Sequence, residues 1–116
     1  MLRSAFSLAL ALSSGPALSC TAADIDVKQF DVRPSAVREL ARFVGEIVNR
    51  CADATAAQLQ VTFRDKDGKV TNVEEFWPAG SRNLGPGVNY PFDRMMRRDP
   101  DAKTMSVRVI EVRQLR

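Results

Sequence analysis

The stretch "LQVTFRDKDGKVTNVEEFW" constrains the fold more than any other part of the chain. Apolar and polar residues alternate in its first half, and this period of two is typical of a strand with one buried face. Asp67-Gly68 then supplies turn chemistry, because glycine adopts a positive φ without steric cost. A second strand-like run follows the turn. The sequence therefore predicts a β-hairpin built from strands 57–64 and 70–77.

The stretch "LGPGVNYPF" predicts a sharp turn followed at once by another strand. Pro86 fixes φ and lacks a donor, while Gly87 permits conformations closed to other residues. Val88, Tyr90 and Phe92 then alternate on one face. The proline at position 91 has no N–H group, so this strand is expected to lie at the edge of a sheet or to pair on one side only at that point.

Further strand-like runs occupy residues 25–33, 41–49 and 104–112. In the last of them Val109 and Ile110 are adjacent apolar residues, which predicts a bulge at that point. Many short strands with turn signals between them are typical of an all-β sandwich. A short helical turn is expected near residues 34–40.

The segment from residue 35 to residue 50 is ambiguous from periodicity alone. Apolar residues recur at helical spacing, and Ser35 is a suitable cap. The same residues also alternate as one face of a strand around Gly45, which would cost a helix interior about 1 kcal/mol. Helix and strand both remain open on this evidence.

A resemblance favours the strand. "VGEIVNRCADATAAQLQVTFRDKDGKV" followed by "LGPGVNYPF" resembles the FxLYD-type domains of bacterial envelope proteins. The matching elements are Gly45-x-Ile47-x-Asn49, the alternating strand to Phe63, the Asp67-Gly68 turn, and Leu84-x-Pro86-Gly87 leading to Phe92. The resemblance covers roughly residues 42–113 and implies an immunoglobulin-like antiparallel β-sandwich with an accessory role. Arg64 departs from the family pattern, which usually has an aromatic residue there.

In that arrangement Asn49 lies on the inward face of its strand. A buried amide needs hydrogen-bond partners, so Asn49 is expected to tie a loop backbone in place. The residues expected to have structural roles are Gly45, Asn49, Asp67, Gly68, Pro86 and Gly87.

The first residues, "MLRSAFSLALALSSGPALSC", have the layout of a secretory signal peptide. A positive start precedes an apolar run too short to span a bilayer, and a Gly-Pro break and small residues follow. Cleavage is expected after residue 19 or at a site up to residue 23. The mature chain, residues 20–116, is then a single domain of an exported protein, periplasmic or associated with the cell envelope.

The cleavage site decides what happens to Cys20. Cleavage after residue 22 or 23 discards it. If Cys20 becomes the first residue, it either carries a lipid anchor or forms a disulfide with Cys51 in an oxidising compartment. The alternatives remain open on sequence grounds.

The charge balance gives no argument for nucleic acid as a partner. Removing Arg3 with the signal peptide leaves 16 basic against 14 acidic side chains, a net of +2. The densest basic patch, "DRMMRRDP", is surrounded by aspartates and is interpreted as a solvated loop. No transmembrane helix is expected.

The chemistry of the side chains argues against an enzyme. The chain contains no histidine, which removes the commonest general base and zinc ligand. Glu74 and Glu75 are adjacent and would point to opposite faces of a strand. Asp65 and Asp67 lack the later ligands of a calcium loop and are interpreted as turn residues. We therefore expect no catalytic residues, no cofactor and no metal site.

Two functional hypotheses follow. The first is a non-enzymatic, exported domain that binds another envelope protein, with Trp77, Tyr90 and Arg94 as its binding patch. The alternative role for Trp77 is to cap the core. The second hypothesis is a small-ligand-binding protein or enzyme that uses carboxylate and arginine side chains around Glu74 or Arg94.

Overall fold

The computed structural model describes residues 20–115, so the expected signal peptide lies outside the described residues. A short 3-10 helix at Ala22–Asp24 precedes the first strand. The strands are β1 (Ile25–Pro34), β2 (Leu40–Asn49), β3 (Ala56–Arg64), β4 (Val70–Phe76), β5 (Asn89–Arg97) and β6 (Thr104–Arg113). The all-β prediction is confirmed for this part of the chain.

The strands form two antiparallel sheets of three strands each. One sheet has the order β1-β2-β5 and the other β4-β3-β6, so β2 and β3 are central. The predicted hairpin is confirmed, since β3 pairs with β4 around a turn in which Gly68 has a φ of 84°. Strand β5 is an edge strand, as Pro91 predicted. The arrangement is consistent with a β-sandwich.

Aromatic side chains join the two sheets through the core. Phe43 of β2 is fully buried, and its ring centroid lies 5.8 Å from that of Phe63 on β3 and 6.3 Å from that of Phe76 on β4. Phe76 in turn contacts Phe92 of β5 at 5.7 Å. Buried aromatic pairs at these distances add to the stabilisation that comes from removing apolar area from water.

The ambiguous segment is a strand, and the helical interpretation of it is wrong. Residues 40–49 form β2, which pairs with β1 on one side and β5 on the other. The helical turn expected near residues 34–40 is also absent: a tight turn closed by a hydrogen bond from the Leu40 N–H to the Val37 carbonyl stands there. The Ser35 hydroxyl lies within hydrogen-bond distance of both Val37 and Leu40 backbone groups, which stabilises the turn without a helix.

Gly45 is required by a close approach between neighbouring strands. The register of β1 against β2 shifts between Lys28 and Asp31, so the two residues of this bulge, Gln29 and Phe30, face Gly45. A Cβ at position 45 would lie 3.0 Å from the ring of Phe92 and 3.2 Å from the Cα of Phe30. There is therefore no room for a side chain.

Gly45→Ala should lower the free energy of unfolding by about 1–3 kcal/mol, because the added methyl overpacks a strand interface that includes backbone. Urea unfolding followed by tryptophan fluorescence measures this. Gly85→Ala is the matched control, since its Cβ would meet only Val88 at 3.5 Å, an ordinary contact. Equal stability losses in the two variants would contradict the packing argument.

The bulge predicted in the last strand is present. Gln58 of β3 pairs with Glu111 whereas Leu59 pairs with Val109, so Ile110 is the extra residue. This extra residue lets both flanking stretches of β6 keep their alternation against β3.

The side chain of Asn49, the last residue of β2, holds together the loops at its end of the structure. Asn49 is fully buried, and its amide donates to the carbonyls of Asp53 at 2.9 Å and Leu84 at 2.8 Å. Its side-chain oxygen accepts the Cys51 N–H at 2.8 Å. The predicted role of this amide in holding loop backbone is confirmed.

The glycine of the Pro86-Gly87 turn contacts the same residue. Gly87 has a φ of 77°, and its N–H donates to the backbone carbonyl of Asn49 at 2.7 Å. This contact explains why a sharp turn precedes β5. The chain must reverse within a few residues to bring the new strand beside β2.

A disulfide joins Cys20 and Cys51 at this end, with the two Cα atoms 5.5 Å apart. The bridge ties the segment before β1 to the loop that follows β2. The sequence left several alternatives open for Cys20, and the structure has the disulfide.

Candidate functional site

The acidic residues considered for catalysis have local structural partners. One Asp65 carboxylate oxygen accepts hydrogen bonds from the N–H groups of Asp67 at 2.8 Å and Lys69 at 3.0 Å. Such bonds are typical of an aspartate that stabilises a turn. Glu75 accepts a hydrogen bond from the side chain of Gln60 on the neighbouring strand. Glu74 accepts one from Asn72. These carboxylates do not converge on a common point.

A cysteine-containing cluster also has a structural explanation. Ligand-type atoms of Cys20, Cys51 and Asp53 lie within 4.8 Å of one another. However, the two sulfur atoms are bonded to each other, whereas a metal ligand requires a thiolate. The cluster is the disulfide and its surroundings.

The two aromatic residues at the end of β4 lie in different environments. Phe76 is 4% exposed and belongs to the core, whereas Trp77 is half-buried. Among the described residues, the hydrophobic core and the side chains packed on it include Tyr90 but not Trp77. Trp77 therefore does not cap the core in the way that the sequence allowed.

Arginine side chains stack on these rings. The guanidinium of Arg113 lies 5.4 Å from the centroid of the Trp77 ring, and that of Arg94 lies 5.3 Å from the centroid of the Phe76 ring. Arg94 also donates to the Trp77 carbonyl at 3.4 Å. Cation–π contacts of this kind contribute about 0.5–1 kcal/mol at exposed positions and hold each guanidinium in a defined place.

Together these residues line a surface concavity of about 470 Å³, which we call the Trp77 surface. Its lining consists of the end of β4, the loop after it, one residue of β5 and the end of the chain: Glu75, Phe76, Trp77, Gly80, Ser81, Arg94, Arg113 and Leu115. It combines one half-buried indole with two exposed arginines, of which Arg113 stacks on the indole and Arg94 on Phe76.

The predicted binding patch is brought together only in part. Trp77 and Arg94 share the Trp77 surface, but Tyr90 is not among its lining residues. Tyr90 is half-buried, packs on the core, and has the guanidinium of Arg82 at 5.3 Å from its ring centroid. Arg82 and Arg113 were missed in the sequence, since nothing local signals that they stack on aromatic rings.

An exposed ion pair lies on the β1-β2-β5 sheet, and neither of its residues lines the Trp77 surface. Arg42 of β2 donates to Asp93 of β5 at 2.5 Å and 3.2 Å. The hydrogen bond from Arg42 lowers the pKa of Asp93, and the same bond raises the pKa of Arg42. Because the pKa of Asp93 is depressed in the folded state, the pair stabilises at neutral pH and is lost as acid protonates the carboxylate. Both groups are exposed, so the effect on stability is small.

Comparison with known proteins gave no match to any family model, curated protein or solved structure. Within residues 20–115 there is no helix long and apolar enough to cross a membrane.

Proposed function

We propose that this protein is an exported, non-enzymatic domain that binds another protein of the cell envelope through the Trp77 surface. The observation that carries the proposal is the half-buried Trp77 ring with the Arg113 guanidinium stacked on it, beside an Arg94 that stacks on Phe76 and binds the Trp77 carbonyl. Tryptophan and arginine are the residue types that most often dominate the energetics of protein interfaces. A ring that does not pack in the core has apolar area left to bury against a partner.

The stacking contacts make this surface suitable for recognition. A guanidinium held over a ring loses less conformational freedom on binding than one on a free side chain, so less affinity is lost to ordering. Arg113 is also held by an ion pair with Glu111, and Arg94 by its bond to the Trp77 carbonyl. Both side chains are exposed, so their remaining N–H groups can donate to carboxylates or carbonyls of a partner. We expect the partner to present an apolar side chain for Trp77 and acceptor groups for the two arginines.

Export is supported by the disulfide. The bond between Cys20 and Cys51 persists in oxidising compartments such as the periplasm and is rare in the reducing cytosol. A secretory signal peptide at residues 1–19 fits the same destination. A lipid anchor at Cys20 would use the same sulfur atom, so the bridged form and the lipidated form exclude each other.

Membership of the FxLYD-type domains, with an immunoglobulin-like topology, is part of the proposal. It is supported by the order of the motifs around Gly45, Asn49 and the Asp67-Gly68 turn. Two facing three-stranded antiparallel sheets are compatible with such a sandwich. The accessory role implied by that resemblance agrees with a binding function.

Trp77→Ala should weaken capture of the envelope partner by at least about 30-fold, since truncating an interface tryptophan typically costs 2 kcal/mol or more. The measurement is affinity capture from envelope extracts, followed by titration of the captured protein in purified form. Arg94→Ala should weaken binding in the same direction by a smaller factor.

Arg108→Ala is the control for charge, because Arg108 lies on β6 outside the Trp77 surface and contacts Gln60. It should bind the partner like the unmodified protein. The proposal fails if Trp77→Ala captures the same partner with unchanged affinity. It also fails if Glu74→Ala or Asp65→Ala abolishes the biological role in a protein that is still folded.

A further inference from the structure

A second cavity lies at the opposite end of the structure from the disulfide. It has a volume of about 240 Å³ and is bounded by the end of β1, the turn before β2, the end of β5 and the loop that leads into β6. No residue lines both this cavity and the Trp77 surface, although β5 contributes to each. The two concavities are therefore separate.

The inner wall of this cavity is the hydrophobic core itself. Ala41, Phe43 and Phe63 line it, and their exposed fractions are 6%, 0% and 2%. Because these side chains are almost fully buried, an apolar group that enters at this end would contact the more exposed apolar lining, Val32, Leu40, Ala102 and Met105. The volume is below the roughly 300–1,000 Å³ of sites for drug-sized molecules, so the cavity suits a short apolar tail.

The remaining lining is strongly basic. It contains four arginines, Arg33, Arg38, Arg97 and Arg98, against the single carboxylate of Asp99. Arg33 pairs with Asp31 at 3.1 Å. In the part of the chain that the structure describes, the other three arginines take part in none of the ion pairs within 4.0 Å.

The aspartates near these arginines in sequence are occupied elsewhere. Asp93 is bound by Arg42 across the sheet. Asp99 accepts hydrogen bonds from the Thr71 hydroxyl at 2.5 Å and from the Asp101 N–H at 3.0 Å. The interpretation of "DRMMRRDP" as a solvated loop is wrong for residues 93–97, which belong to β5, and it does not account for the positive charge at this cavity.

We propose that this cavity binds a fatty carboxylate, with the apolar tail against Val32, Leu40, Ala102 and Met105 and the carboxylate among the arginines. Guanidinium groups match a carboxylate with two parallel hydrogen bonds. The single carboxylate of Asp99 leaves an excess of positive charge in the lining, which attracts an anionic headgroup. The site is independent of the Trp77 surface, so its failure would leave the proposed function untouched.

The test is isothermal titration calorimetry of the purified protein with octanoate at physiological salt. Octanoate should bind saturably at one site. Octylammonium, with the same tail and the opposite charge, and acetate, with the headgroup alone, should not bind. Tighter binding of octyl phosphate than of octanoate would overturn the assignment to a carboxylate.

Two variants locate the site. Arg38→Ala/Arg98→Ala should weaken octanoate binding about tenfold, since both guanidinium groups are lost from the lining. Ala102→Leu places a larger side chain in the cavity from a half-buried loop position and should abolish binding while keeping every charge. The first variant changes only exposed side chains, so it remains folded and decides the question if the second does not fold.

The control is Arg50→Ala/Arg108→Ala, which removes the same number of positive charges away from the cavity. Arg50 pairs with Asp26 near the disulfide, and Arg108 contacts Gln60. This variant should bind octanoate as the unmodified protein does. Equal weakening in both double variants, binding of octylammonium, or no binding of octanoate would overturn the proposal.

Discussion

Asn49→Ala should lower the free energy of unfolding by about 2–4 kcal/mol, one of the largest effects of any single substitution in this protein. The change removes three hydrogen bonds, to the Asp53 carbonyl, the Leu84 carbonyl and the Cys51 N–H. Each such bond contributes roughly 1 kcal/mol, and the loss is greater where a backbone group remains buried. Because Asn49 is fully buried, the truncation also leaves a cavity.

Urea unfolding measures this loss, with Asn89→Ala as the matched control. Asn89 is an exposed asparagine at the start of β5, so its truncation should change the unfolding midpoint little. Asn49→Asp should be about as damaging as Asn49→Ala, since a carboxylate keeps the acceptor for Cys51 but faces two carbonyl oxygens. A stability within about 0.5 kcal/mol of the unmodified protein for Asn49→Ala would contradict the role assigned to the amide.

Loss of the disulfide should destabilise the protein by a similar or larger amount. Cys20 and Cys51 are 31 positions apart, and closing a loop of that length stabilises by about 3–4 kcal/mol in the chain-entropy model. Cys20→Ala/Cys51→Ala should therefore unfold at a markedly lower urea concentration. Reduction of the unmodified protein should have nearly the same effect, whereas reductant should leave the double variant unchanged.

Intact-mass measurement of the exported protein decides whether this bridge forms in the cell. A mature chain that begins at Cys20 with its thiols oxidised is the expected result. A chain that begins at Asp24, or a mass increased by acyl groups, would exclude the bridge and with it the predicted stabilisation.

The parts of the fold that could be predicted from sequence are those specified by neighbouring residues. Alternation and an Asp-Gly turn predict the β3–β4 hairpin, and the adjacent Val109 and Ile110 predict the bulge in β6. Both signals are contained within one or two strands. The buried role of Asn49 followed from its place on the inward face of a strand, once that strand was assigned.

The ambiguity of β2 shows where such local reasoning ends. The apolar residues of this segment fit both periods, and the reason for Gly45 is a contact with Phe30 and Phe92, which are distant in sequence. Only the pairing of β2 with two partners selects the strand. Propensity alone carries too little free energy to decide between two self-consistent patterns.

The candidate sites were predictable to a smaller extent, for the same reason. Trp77 and Arg94 were identified by residue type, but Arg113 reaches the Trp77 ring from the other end of the domain's sequence. The arginines of the second cavity are similarly dispersed, since Arg38 lies before β2 and Arg98 after β5. Residues that meet only through tertiary structure leave no spacing motif.

The most direct measurement of the central claim is photocrosslinking in living cells with a photoreactive phenylalanine analogue in place of Trp77. We expect a discrete adduct with a protein of the cell envelope, and no such adduct when the analogue replaces Arg108. A folded, exported protein that gives no adduct from position 77, or the same adducts from both positions, would contradict binding through the Trp77 surface.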